Sequence, residues 1–67
     1  MKERNVRLVE EKNGRQLWFR EIYRPDGVWV PILFAREFIA VEGRYIKTSC
    51  DTIFSNESEG RLWVSNG

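Results

Sequence analysis

The side chains through which this sequence could do chemistry are its carboxylates, one thiol and a set of arginines and tryptophans, because it contains no histidine. Without histidine the commonest general base is missing, and with it the Ser-His and Cys-His nucleophile pairs and the usual zinc ligand sets. Cys50 is followed by Asp51, a charge that works against thiolate formation. Cys50 therefore reads as a passive core residue. Carboxylates acting in pairs could still move protons, as in glycoside hydrolysis. Glu10-Glu11 adjoins a turn, however, and Glu57 and Glu59 fall in a polar segment, so neither pair has the setting of a desolvated cleft. The run Asn56-Glu57-Ser58-Glu59-Gly60 is polar like a calcium loop, but it lacks the alternating ligands and the distal Glu. It reads as a solvated loop. The five glycines are scattered singly and make no phosphate-cradling motif. No catalytic residue, metal ligand or cofactor is expected, and the chain is not expected to be an enzyme.

What remains is recognition by contact. Eight of the eleven basic residues are arginine, and the chain carries three tryptophans. Arginine suits planar, bidentate or stacked contacts better than lysine does. Strand periodicity between Gln16 and Arg24 sets Leu17, Phe19, Glu21 and Tyr23 on one face and Trp18, Arg20, Ile22 and Arg24 on the other. Carried across the next turn, the expected pairing adds Val28, Val30, Ile32 and Phe34 to the first face. It adds Trp29, Pro31 and Leu33 to the second. On that register Trp18, Arg20, Arg24 and Trp29 form one displayed binding surface; a slip of one residue would exchange the faces. Tryptophan and arginine are enriched at binding hot spots, and the same types stack bases and neutralise phosphates in single-strand binders. The opposing reading makes Trp18 and Trp29 a second core layer, with the arginines snorkelling to solvent.

The elements that must position these residues are punctuated by turns. Asn13-Gly14 is a strong hairpin signal, since both central positions tolerate positive φ. Strand-like residues Val6 to Val9 precede it, and the aromatic and β-branched segment Gln16 to Arg24 follows. Pro25-Asp26-Gly27 marks a second turn, and Val28 to Phe34 reads as a third strand that Pro31 pushes towards an edge or bulge. From Pro31 to Val41 two readings compete. Pro31 before and Gly43 after, with Ala35-Arg36-Glu37 between, suit a short helix. Alternatively Glu42-Gly43 is a hairpin turn with Phe38–Val41 and Arg44–Ser49 as its arms. Thr52–Phe54 and Leu62–Val64 read as closing strands around the polar loop Ser55–Gly60.

The sum is a mostly β fold: four to six short strands in an antiparallel meander, with at most one short helix at about residues 32–41. A meander of this size either closes into a small SH3-like or OB-like barrel or packs as a sheet against the helix. Residues 1–67 form a single small domain, since two cores cannot be built from so few residues; beginning at Met1, the chain reads as a complete short protein. Its nine aromatic rings supply the buried area that a domain of this size needs. Self-association is the other common remedy, so a homo-oligomer is kept in view.

A lone cysteine, with no signal-like apolar run at the N-terminus and no membrane-length segment, points to a reducing, cytoplasmic setting without a membrane partner. Net charge is +1, but residues 1–36 hold eight Lys or Arg against five Asp or Glu. Two functions of different class follow. The first is a non-enzymatic module that acts by protein–protein interaction as an adaptor, inhibitor or regulator. The second is nucleic-acid binding through the Trp18/Arg20/Arg24/Trp29 hairpin, helped by Lys2, Arg4, Arg7 and Arg15. The small net charge and the lack of a recognition helix weigh against the second.

Overall fold

Asn13 and Gly14 both adopt positive φ, 51° and 85°, the conformation whose twist matches a two-residue hairpin. They join β1 (Glu3–Lys12) to β2 (Arg15–Tyr23). Gly14 is required twice over, because a Cβ there would lie 2.4 Å from the Phe38 carbonyl oxygen. Glu42 and Gly43, at 50° and 77°, repeat the device between β3 (Trp29–Val41) and β4 (Arg44–Lys47). Between β2 and β3 the chain turns through Pro25-Asp26-Gly27, where the Arg24 N–H donates to the Val28 carbonyl at 2.9 Å. β5 (Ile53–Phe54) and α1 (Glu57–Ser65) complete the chain. This is a computed structural model, and it describes residues 2–47 and 52–67; Cys50 and the Thr48–Ser49 end of the expected arm lie outside them.

The five strands form one antiparallel meander in the order β1-β2-β3-β4, with β5 also paired to β3. The sheet is open rather than closed into a barrel, and it packs against a single helix. That helix is not at 32–41. Every residue from Trp29 to Glu37 has a partner in β2, and Phe38 to Val41 pair with β4. Cross-strand pairing of a β-branched and aromatic segment overrides the local helix preference of Ala35-Arg36-Glu37. Of the two readings of Gly43, helix stop and hairpin residue, the hairpin holds, with Phe38–Val41 and Arg44–Lys47 as its arms.

The segment expected as a polar loop and closing strand is instead α1. The Asn56 Oδ1 accepts from the Glu59 N–H at 2.8 Å, and the Glu59 carboxylate accepts from the Ser55 N–H at 3.2 Å. These reciprocal bonds satisfy donors at the helix start, much as in a capping box. Residues expected to be solvated loop charges are the helix's N-terminal signal.

Pro31 sits where its missing N–H is harmless. The Arg24-to-Val28 bond makes the even-numbered residues of β3 the ones that bond to β2, as Phe38 N–H to the Gly14 carbonyl also does. Odd-numbered residues bond outward, as the Ala35 N–H does to the Thr52 carbonyl at 2.8 Å. β5 covers that outer edge only at Leu33 and Phe34. Pro31 therefore lies on a bare stretch of edge, where lacking a donor costs no ladder bond and discourages a foreign strand.

Alternation then assigns the two faces. Arg15, Leu17, Phe19, Glu21 and Tyr23 share one with their partners Glu37, Ala35, Leu33, Pro31 and Trp29. α1 packs on this side. Gly60 lies against Leu17 and Phe54, so close that a Cβ would come within 2.6 Å of Leu17 Cδ1. Leu17, Ala35 and Val64 are buried there. The opposite face carries Gln16, Trp18, Arg20 and Ile22 with Arg36, Phe34, Ile32 and Val30. No helix or strand packs on it among the described residues.

Candidate binding surface

The expected surface of Trp18, Arg20, Arg24 and Trp29 is split by the register. Pro25-Asp26-Gly27 is a three-residue loop, so residues of equal parity face each other and Tyr23 pairs with Trp29. The expected pairing had implied a loop of even length. Trp18 and Arg20 lie on the open face and Trp29 on the helix side, where its ring centroid is 5.0 Å from that of Tyr23. Arg24 is in the turn, paired with Asp26 at 2.5 Å. Trp18 and Trp29 are each half-buried, in two separate settings.

On the open face, Trp18 stands beside Phe34 as its cross-strand partner. Phe34 is fully buried although, among the described residues, no helix or strand packs over it. Among the described residues two arginines lie over it: the Arg20 guanidinium is 4.5 Å from the ring centroid and that of Arg36 5.1 Å. Arg36 also reaches to 5.3 Å from the Trp18 ring. Arg20 is steadied by Glu3 at 3.2 Å, while its Nε is buried without a hydrogen-bond partner. Trp18 Nε1 donates to Gln16, whose amide donates in turn to Glu11. Around this centre lie Ile22, Val30 and Ile32, half-buried, with Leu8 and Ile53 exposed at 45% and 62%. An apolar face with arginine laid across aromatic rings is suited to desolvated contact with another molecule.

The helix side has a second feature, built by β1. Asn5 has φ 54°, a conformation asparagine tolerates, and between Arg4 and Arg7 β1 spends one residue more than β2. This bulge resets parity, so Arg4 opposite Glu21 and Arg7 opposite Phe19 emerge on the same face. Arg4 lies 4.0 Å from the Trp29 ring centroid, Arg7 4.7 Å from that of Phe19, and the Lys2 ammonium 5.5 Å from that of Tyr23. Glu21 accepts from the Asn5 amide and lies 3.3 Å from Arg4. The Asn5 amide, followed by Arg4, holds the Glu21 carboxyl below the ordinary carboxylate range. α1 makes its contacts on Glu10, Lys12, Arg15, Leu17 and Phe54, and only its first residue, Glu57, borders this end, beside Arg7 and Phe19.

Among the described residues no cluster of acidic groups is arranged to hold a metal ion, and no helix is long and apolar enough to cross a membrane. A recess of about 240 Å³ lies beside Arg7 and Phe19, and a wider one of about 640 Å³ at the Asn13-Gly14 tip near Phe38. Neither gathers convergent catalytic groups. No family model matches the chain, and no curated protein or solved structure does.

Sequence reasoning singled out Trp18 and Arg20 on the open face but missed Arg36, Phe34, Leu8 and Ile53 as their companions. The signal was the loop length: three residues between Arg24 and Val28 dictate equal-parity pairing.

Proposed function

We propose that the protein is a non-enzymatic binding module, acting in a reducing, cytoplasmic setting by docking a protein partner on its open sheet face. The observation that carries this reading is a fully buried Phe34 over which, among the described residues, the Arg20 and Arg36 guanidiniums lie and no helix or strand packs, within a field of Leu8, Trp18, Ile32 and Ile53. Apolar faces of this kind mark interaction sites more often than they remain in water. Docking by a face rather than an edge is favoured by β1, whose two register shifts and charged residues blunt it as a template. The sequence, without histidine, supports recognition over catalysis.

The test is affinity capture from host extract with the native chain and a Leu8→Arg/Ile53→Glu variant, both substitutions falling on exposed positions. One stoichiometric protein should be retained by the native chain and lost by the variant. Recovery of nucleic acid alone would overturn the reading. Sedimentation equilibrium of both proteins distinguishes a second copy as the occupant, since a native dimer would then become a monomer on substitution.

A further inference from the structure

We infer that the helix side carries a second, separate site, a strip for single-stranded nucleic acid formed by Lys2, Arg4 and Arg7 over Tyr23, Trp29 and Phe19. The bulge at Asn5 is what makes the strip continuous. Without it, three residues of spacing would place Arg4 and Arg7 on opposite faces; with it, they are successive cations on one face, about 6.6–6.8 Å apart along the strand. Lys2 extends the row by one further step, its backbone carbonyl accepting from the Tyr23 N–H at 3.1 Å.

Charge complementarity selects a polyanion. Three cations line the strip, and the acid among them, Glu21, is already engaged by Asn5 and Arg4. At its inner end Glu57 is engaged by Arg61 at 3.1 Å. Lys2 and Arg7 have no carboxylate partner among the described residues. The geometry favours a single strand over a duplex or an acidic protein: one row of cations follows one backbone, and each stands over an aromatic ring. Guanidinium planes and rings are the surfaces on which unpaired bases stack. The recess of about 240 Å³ beside Arg7, Phe19 and Pro31 admits one flat group rather than a drug-sized ligand.

The experiment is fluorescence anisotropy of a labelled single-stranded oligonucleotide of about a dozen nucleotides, titrated with the full chain over a series of salt concentrations. Three phosphate contacts predict a slope of log affinity against log salt of about −2, a loss of roughly 20-fold between about 50 and 200 mM. Lys2→Ala/Arg7→Ala removes exposed side chains and should bring the slope to about −0.7. The Leu8→Arg/Ile53→Glu variant, altered on the other face, should bind as the native chain does. No binding at the lowest salt, an unchanged slope in Lys2→Ala/Arg7→Ala, preference for duplex, or stronger competition by poly-glutamate than by unlabelled single strand would each overturn the assignment. None of these outcomes bears on the open face, so the two readings fail separately.

Discussion

Glu21 concentrates the residue-scale electrostatics of the sheet. It receives the Asn5 amide and the Arg4 guanidinium, and its carboxyl is held below the ordinary carboxylate range by them in that order. A carboxyl that ionises more readily when folded adds stability that is fully present above its unfolded value, and this is lost as pH falls through the folded value. Thermal melts should therefore show Glu21→Gln less stable than the native chain near neutrality. The difference should close in the acidic range below about pH 4. A gap of constant size across pH would mean that Glu21 acts through packing instead. The same carboxylate also fixes Arg4 against Trp29, linking this residue to the cationic strip.

At the scale of the element, α1 depends on its first turn. It has nine residues, too few for an isolated helix to persist in water, so capping and packing must hold it. Asn56→Ala removes the bond to the Glu59 N–H and should cost about 1 kcal/mol. Chemical denaturation measures the loss, and amide exchange in Glu57–Ser65 should quicken more than in β2. The second constraint is Gly60, which lets the helix approach Leu17 and Phe54 closely enough to bury Leu17 and Val64. The cap and the glycine act together: one starts the helix, and the other sets its distance from the sheet.

For the whole molecule, the sheet's two faces are stabilised differently. Leu17, Ala35 and Val64 form a helix-covered core, whereas Phe34 is buried under arginine side chains. A chain of this size has a total stability of about 3–10 kcal/mol. Phe34→Ala, which typically costs about 3–5 kcal/mol for a buried ring, should therefore remove a large share of that stability. Leu8→Arg/Ile53→Glu should change stability by no more than about 0.5 kcal/mol per site. Circular dichroism during urea unfolding compares the two. If the double variant melted as readily as Phe34→Ala, the open face would be part of the core and not a docking surface.

The sequence by itself determined the punctuation and the class. Asn13-Gly14, Pro25-Asp26-Gly27 and Glu42-Gly43 are turns in the structure as they are in the residues, because positive φ and turn closure are decided within a few bonds. The alternation of Leu17 to Tyr23 and the edge position of Pro31 follow from the same local rules. Tertiary structure decided what alternation leaves open. The bond from Arg24 to Val28 closed a three-residue loop, and that parity moved Trp29 to the face opposite Trp18. Pairing on both sides of β3 turned a segment of ambiguous propensity into a strand. Asn56 to Gly60 read as a solvated loop, because a nine-residue helix needs the packing of Gly60 on Leu17 as well as the Asn56-to-Glu59 cap. Turn residues encode their own geometry, whereas register and coverage depend on partners distant in the chain. For that reason Trp18, Arg20, Arg24 and Trp29 could be singled out from the sequence, while their division between two faces and a turn, and the companions Phe34 and Arg36, had to come from the fold.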